Sequence, residues 1–434
     1  MAIFAKKNRT MPVNFIEELR WRGMIHDMMP GTEDALNKGI SAGYIGFDPT
    51  ADSLHVGHLV QIMTLVHFQK AGHKPFALVG GATGMVGDPS GKSQERNLLD
   101  EATLNHNVAC VQKQLEKFLN FSGANAAEMV NNYDWFKEMS FLEFIRDVGK
   151  HLSVNYMMAK DSVKSRLETG MSFTEFSYQL VQGYDFYWLN KNKNCIVQLG
   201  GSDQWGNIVT GTELIRRKGG GEAYAVTTPL IKKADGTKFG KTEGGSVWLD
   251  PEKTSPYEFY QFWLNASDSD AVNYIRIFTL KEQSEIEALE KEHAEAPHLR
   301  ILQKAIADEV TTRVHGEEAL RTAIAASNIL FGKSTSEDLK SLSEKDFFTI
   351  FDGVPQATIS KEEFSTIGIL DALSGKTGFL ASNGEARREL KANAISVNKE
   401  KVGEDFQFSA DHLINGKYIL LGKGKKNNYI LVIE

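Results

Sequence analysis

Five short apolar runs, at residues 43–47, 75–79, 127–130, 195–199 and 224–230, alternate with longer stretches of helical spacing. Parallel strands need long crossover connections, so this alternation is the pattern of a Rossmann-like α/β sheet with helices against it. On such a sheet, ligands collect outside the carboxyl ends of the strands. Polar and glycine-rich segments stand at those ends here: His55 follows the first run, residues 80–88 the second and residues 200–204 the fourth.

The densest chemistry lies in residues 43–58. Tyr44, Ile45 and Phe47 read as the end of a strand, Asp48-Pro49 stops it, and a helix is expected from near Leu54, apolar through Val60, Met63 and Val66. His55 and His58 then share one face of its first turn, where unpaired N–H groups and the positive end of the helix dipole favour an anion. Gly57 between them leaves the backbone open to a flat base or ribose. His-x-x-His spacings also occur in metal sites, but Cys110 and Cys195 supply no Cys-x-x-Cys companion, so no dedicated protein metal site is expected. A second cationic segment, Lys238-Phe239-Gly240-Lys241-Thr242, lies far downstream in a Gly- and Lys-rich loop; taken alone it reads equally as a solvated loop. The segment from Gly87 to Ser93 imitates a phosphate-cradling P-loop but is one residue short of Gly-x-x-x-x-Gly-Lys-Ser/Thr, since position 86 is Val.

His55-Val56-Gly57-His58 and Lys238-Phe239-Gly240-Lys241-Thr242 together resemble the two signatures of class I aminoacyl-tRNA synthetases, and the second has the form of the tyrosyl branch. Residues 77–92, 148–160, 173–185 and 200–207 are similar to stretches of the bacterial tyrosyl-tRNA synthetase family, and the likeness runs from about Val13 onward. The resemblance implies activation of tyrosine by ATP with loss of pyrophosphate, then transfer to tRNA(Tyr), without an enzyme nucleophile. It implies that His55, His58 and Thr50 meet the phosphates and that Lys238, Lys241 and Thr242 close over the leaving group. Gly46, Asp48, Gly57, Gly201 and Asp203 would line the nucleotide, and Lys92 and Arg96 would reach its phosphates; Mg²⁺ is expected with ATP, the substrate. Tyr44 and Asp185 match the pair that meets the tyrosine phenol, with Asp185 accepting and Tyr44 donating. Tyr178, Gln182, Asp88 and Gln204 fall on the tyrosine side, and the i, i+4, i+7 spacing of Tyr178, Gln182 and Asp185 puts these three on one helix face.

The organisation expected is a catalytic α/β domain at 1–245, an α-helical anticodon-recognition domain at 246–330, a linker at 331–360 and a small α+β S4-like RNA-binding domain at 361–434. From residue 376 onward ten Lys or Arg face seven Asp or Glu, whereas the whole chain carries −7, so a basic tail follows an acidic body. Residues 383–402 resemble the S4-type domain, with Arg387, Arg388 and Lys391 on an early helix; Lys423, Lys425 and Lys426 join them as candidate tRNA contacts. Taken alone, these read as a solvated helix face. No apolar run approaches the roughly 18 to 20 residues needed to span a bilayer, and the two cysteines suit a reducing compartment, so a cytoplasmic protein without a membrane partner is expected. The family resemblance adds a homodimer. Two readings compete: a tryptophanyl enzyme, which has no use for a carboxylate facing a phenol, and an RNA-binding or regulatory protein on a synthetase-like body.

Overall fold

The computed structural model describes residues 14–90, 99–164, 170–242, 245–331, 335–340, 342, 344–351, 354–424 and 427–434. The described residues form two compact units, those within 14–254 and 265–314, and those within 255–264 and 315–434.

The first unit is built on six strands: β1 (Asp27–Met28), β2 (Ala42–Phe47), β3 (Lys74–Val79), β4 (Glu128–Asn131), β5 (Cys195–Gly201) and β6 (Tyr224–Thr228), in the order β1-β6-β5-β2-β3-β4. The five longer strands are parallel, as the apolar runs require. β1 is too short to carry a pattern and pairs antiparallel with β6 at the edge. The chain leaves β2 toward β3 and β4, then returns to β2's other side through β5. The order therefore reverses between β2 and β5, and a crevice opens there at the strand ends.

Two helices fix the walls of that crevice. Phe173–Lys193 starts where Ser172 accepts from the Glu175 N–H and stops at Asn194, which takes a left-handed φ of 52°. It packs closely on Trp205–Arg217, because a Cβ on Gly211 would stand only 2.9 Å from Phe186 Cβ. A short ribbon, β7 (Lys241–Thr242) with β8 (Gly245–Ser246), follows, and helices Asp268–Phe278, Gln283–Glu295 and Ile301–His315 complete this unit.

The second unit centres on β9 (Gln356–Ile359), β10 (Ile395–Val397), β11 (Glu400–Lys401), β12 (Tyr418–Lys423) and β13 (Asn427–Ile433), ordered β11-β10-β12-β13-β9. Only the β9–β13 pair is parallel. Alternate β12 residues serve opposite faces, as the strand period of two demands. Ile419 and Leu421 pack with Phe364, Ala386 and Leu390, while Tyr418 and Leu420 pack with Leu339, Phe347, Ile350 and Phe351.

This packing groups residues differently from the expected domain bounds. The stretch read as a linker at 331–360 supplies Leu339, Phe347, Ile350 and β9 to the second unit; its apolar residues sit on elements too short to show a period in sequence. The helical region expected as one domain at 246–330 is divided: Pro256–Leu264 and Glu317–Phe331 go with the second unit, and the three helices between go with the first.

Candidate active site

The crevice between β2 and β5 holds a pocket lined by Tyr44, Gly46, Asp48, Thr50, Gly57, His58, Asp88, Tyr178, Gln182, Asp185, Gly201, Asp203 and Gln204 among the residues singled out from sequence. Tyr178, Gln182 and Asp185 do share the pocket face of one helix.

The closed end is apolar with a few polar atoms. Tyr44 is 1% exposed, and its hydroxyl is buried without a hydrogen-bond partner among the described residues. Asp185 is equally buried; its carboxylate accepts from Asn132 Nδ2 at 3.1 Å and Trp135 Nε1 at 2.9 Å. Burial pushes the Asp185 carboxyl up to about 8, against the downward pull of those two donors. The Tyr44 phenol is held well above its ordinary range by burial and then by the neighbouring Asp185. The Oε1 atoms of Gln182 and Gln198 are also buried without partners among the described residues. Such groups cost free energy unless something in the pocket completes them.

Two hydrogen-bonded clusters form the side walls. Tyr178 donates to Asp48 Oδ2 at 2.8 Å, and Thr83 donates to Asp48 Oδ1 at 2.7 Å. Gln204 Nε2 donates to Asp88 Oδ2 at 2.7 Å, while Asn207 Nδ2 reaches Gln204 Oε1 at 3.2 Å and Ser90 Oγ at 3.1 Å. Tyr178 and Asp48, expected to serve different ligands, are thus direct partners.

At the mouth the helix begins later than expected. His55 caps a 3₁₀ turn, Val56–His58, which leads into the α-helix Leu59–Lys70. Gly57 N donates to His55 Nδ1 at 3.0 Å and His55 N donates to His58 Nδ1 at 3.1 Å. Each ring accepts at Nδ1, so the proton of the neutral ring belongs on Nε2 and makes that atom a donor. A Cβ on Gly57 would lie 2.7 Å from His55 Cε1, so the glycine makes room for the histidine ring as well as leaving backbone bare.

The two signature segments meet. Gly240 has φ +78°, and a Cβ there would come within 2.8 Å of Val56 Cγ2 and 3.4 Å of Gly57 N. Val247 N donates to Gly240 O at 3.0 Å and Val56 N to Val247 O at 2.9 Å, tying the loop and the histidine turn to one residue just past β8. Lys238 and Lys241 are exposed and do not line the pocket, nor does His55; Thr242 lies in β7. Lys92 and Arg96 lie outside the described residues.

Sequence reasoning missed Gln198, Thr83, Asn132 and Trp135. Gln198 is a polar residue inside an apolar run, and Asn132 follows the end of β4; both were visible signals on a sheet whose ligands gather at strand ends.

Residues 37–332 match the family model described as tRNA synthetases class I (W and Y), and residues 346–432 match that of the tyrosine–tRNA ligase SYY-like C-terminal domain. The tyrosine–tRNA ligase of Flavobacterium psychrophilum is 62% identical over 429 residues, covering 97% of this chain and 100% of that one. The chain belongs to the tyrosine–tRNA ligase family. The Porphyromonas gingivalis ligase is 60% identical over 430 residues, with 97% and 100% covered. A C-terminally truncated mitochondrial tyrosyl-tRNA synthetase of Aspergillus nidulans superposes with a TM-score of 0.65 at 31% identity, covering 73% of this chain and 94% of that one. The second family match begins within the stretch expected as a linker, in agreement with its packing.

In the second unit, Arg387 and Arg388 are exposed on the helix Asn383–Lys391, which ends with exposed Lys391. Arg387 pairs with Glu404 at 2.8 Å, and Lys423 pairs with Glu385 at 2.9 Å and Glu389 at 3.2 Å. These two cations are partly neutralised by their own unit. Lys425 and Lys426 lie outside the described residues.

Proposed function

We propose that the chain activates L-tyrosine with ATP and transfers the tyrosyl group to the terminal adenosine of tRNA(Tyr). The observation that carries this reading is the closed end of the pocket, where the unpartnered Tyr44 hydroxyl and the Asp185 carboxyl await one small polar group in an apolar recess. A phenol gives the Tyr44 hydroxyl its partner and adds a further donor to the Asp185 carboxyl; phenylalanine does neither. The tryptophanyl alternative supplies no such hydroxyl.

Gln182, Asp88, Gln204 and Tyr178 then orient the amino-acid backbone, and Asp48, Gly46, Gly57, Gly201 and Asp203 receive the nucleotide. The tyrosine carboxylate attacks the α-phosphorus and pyrophosphate leaves. The Nε2 donors of His55 and His58, with Thr50, meet the phosphates, while Lys238, Lys241, Thr242, Lys92 and Arg96 neutralise charge on the leaving group. A donor that strengthens in the transition state is worth about 3 kcal/mol. Mg²⁺ enters with the ATP phosphates; among the described residues no trio of His, Cys, Asp or Glu is gathered to hold it separately.

The helices of 246–330 are assigned to anticodon recognition and 361–434 to an S4-like grip on tRNA, with Arg388 and Lys391 its foremost described cations and Arg387, Lys423, Lys425 and Lys426 around them. A homodimer is supported by exposed Phe141 (64%), Leu142 (76%), Val154 (59%) and Phe173 (64%), on helices that share the core of Val148, Leu152, Met157 and Leu180. Among the described residues no helix is long and apolar enough to cross a membrane, and we assign the protein to the cytoplasm.

Amino-acid-dependent exchange of labelled pyrophosphate into ATP tests the reading. Exchange with tyrosine alone is expected. Exchange with tryptophan would move the chain to the sister specificity, and exchange with none of the twenty amino acids would leave the RNA-binding alternative.

A further inference from the structure

The loop that carries Lys238 and Lys241 is held by the residue between them. The Phe239 ring stacks on Phe278, with centroids 5.4 Å apart and planes at 15°, and meets Tyr274 edge-on at 5.1 Å. Tyr274 and Phe278 are 3% and 1% exposed and touch each other at 5.8 Å, so the socket is part of a packed core. Both belong to the helix Asp268–Phe278, which grips the loop a second time where Asp270 accepts from Ala234 N at 2.8 Å.

The platform is itself secured. Arg22 donates to the carbonyls of Arg276, Thr279 and Lys281, and Arg313 donates to that of Phe278 at 3.1 Å. On the loop's other side, Gly240 presses on Val56 and Gly57. The backbone of the two lysines is therefore fixed at Phe239-Gly240, although their own side chains are exposed and contribute little packing.

We propose that Phe239 is a positioning residue for adenylate formation: seated against Tyr274 and Phe278, its ring sets where Lys238 and Lys241 stand relative to the phosphates. It touches no substrate itself. This rests on the assignment of those lysines to the leaving pyrophosphate. Long exposed side chains act at an effective concentration set by where their backbone is held, so unseating the ring dilutes the cations at the reacting group. Each aromatic pair shifts a local equilibrium by about two- to twelvefold, so losing two lowers the ratio of seated to unseated loop by about fourfold to a hundred-and-fortyfold.

The test uses the full chain with Phe239→Ala, Phe239→Leu, Lys241→Ala and the Phe239→Ala/Lys241→Ala double variant. Single-turnover adenylate formation, tyrosine Kd, and transfer from preformed adenylate to tRNA are measured for each. Phe239→Ala is expected to slow adenylate formation by about fourfold to a hundred-and-fortyfold, with tyrosine Kd and the transfer step unchanged, because pyrophosphate has already left before transfer. Phe239→Leu, which refills part of the socket, restores much of the rate. The double variant is no slower than Lys241→Ala alone, since Phe239 acts through the lysine. A normal Phe239→Ala rate beside a slow Lys241→Ala overturns the proposal and spares the lysine assignment. A normal Lys241→Ala rate overturns both. Parallel losses in tyrosine affinity and transfer, or additive effects in the double variant, would make Phe239 an ordinary core residue and overturn the proposal as well.

Discussion

The hydroxyl of Tyr178 donates to the carboxylate of Asp48 at 2.8 Å, which ties the helix expected to hold tyrosine to the strand end expected to hold the nucleotide. Tyr178→Phe should therefore weaken both substrates, by about tenfold each for the loss of one hydrogen bond to a carboxylate. Calorimetric titration of tyrosine and exchange kinetics over ATP concentration check this. Loss confined to one substrate would mean that the two halves of the pocket are independent.

Gly240→Ala should impair adenylate formation far more than folding. At φ +78° a side chain costs about 1–2 kcal/mol, and its Cβ would also meet Val56 Cγ2 at 2.8 Å, forcing the lysine loop from the histidine turn. A melting temperature within a few degrees of the parent, with at least about tenfold slower single-turnover adenylate formation, is the expected pair of results.

Tyrosine affinity should titrate with Asp185. Burial raises this carboxyl to about 8, and the phenol is proposed to donate to its ionised form. Below that pH the protonated form predominates, so affinity rises with pH and levels off above about 8, by at most about tenfold per pH unit. Asp185→Asn should bind weakly with no such slope. Stability carries the opposite sign: the folded pKa lies above the ordinary carboxyl value of 3.8, so the Asp185 contribution is fully present below about pH 4 and is lost as pH rises toward 8. Comparing Asp185→Asn with the parent in urea across that window should show the variant gaining relative stability. A flat difference would mean that the carboxyl titrates in its ordinary range.

Cutting the chain after residue 360, at the expected domain start, should give an aggregating product. β9 would lose β13, and Leu339, Phe347 and Ile350 would lose the sheet face formed by Leu420 and Ile430. Light scattering and binding of a hydrophobic dye would detect the uncovered surface. A monodisperse product that charges tRNA at full rate would contradict both the packing and the assigned grip.

The parallel strands were legible because β2, β3, β4, β5 and β6 are apolar runs bounded by turn residues, and each was found within two residues of its expected bounds. Helical spacing made it legible that Tyr178, Gln182 and Asp185 share one face of the helix Phe173–Lys193, and the family resemblance, not the spacing, made that the ligand face; all three line the pocket. What escaped was set by contacts distant in sequence. His55 looks helical but is drawn into a cap where Val56 N donates to the carbonyl of Val247, just past β8. Asn132 and Trp135 look like ordinary loop residues until the sheet brings them to Asp185. Lys423 looks like a free cation until β12 lays it beside Glu385 and Glu389.

The parallel pairing of β9 with β13 bears on how the protein is made. A strand at residues 356–359 can complete its ladder only with one at 427–433, so during translation the earlier strand emerges from the ribosome well before its partner exists. Until then helices such as Glu344–Ile350 have no finished sheet to cover. The second unit's sheet thus closes only after residues 427–433 are made, and a nascent chain stalled before β13 carries the complete pocket of the first unit together with an unfinished second one.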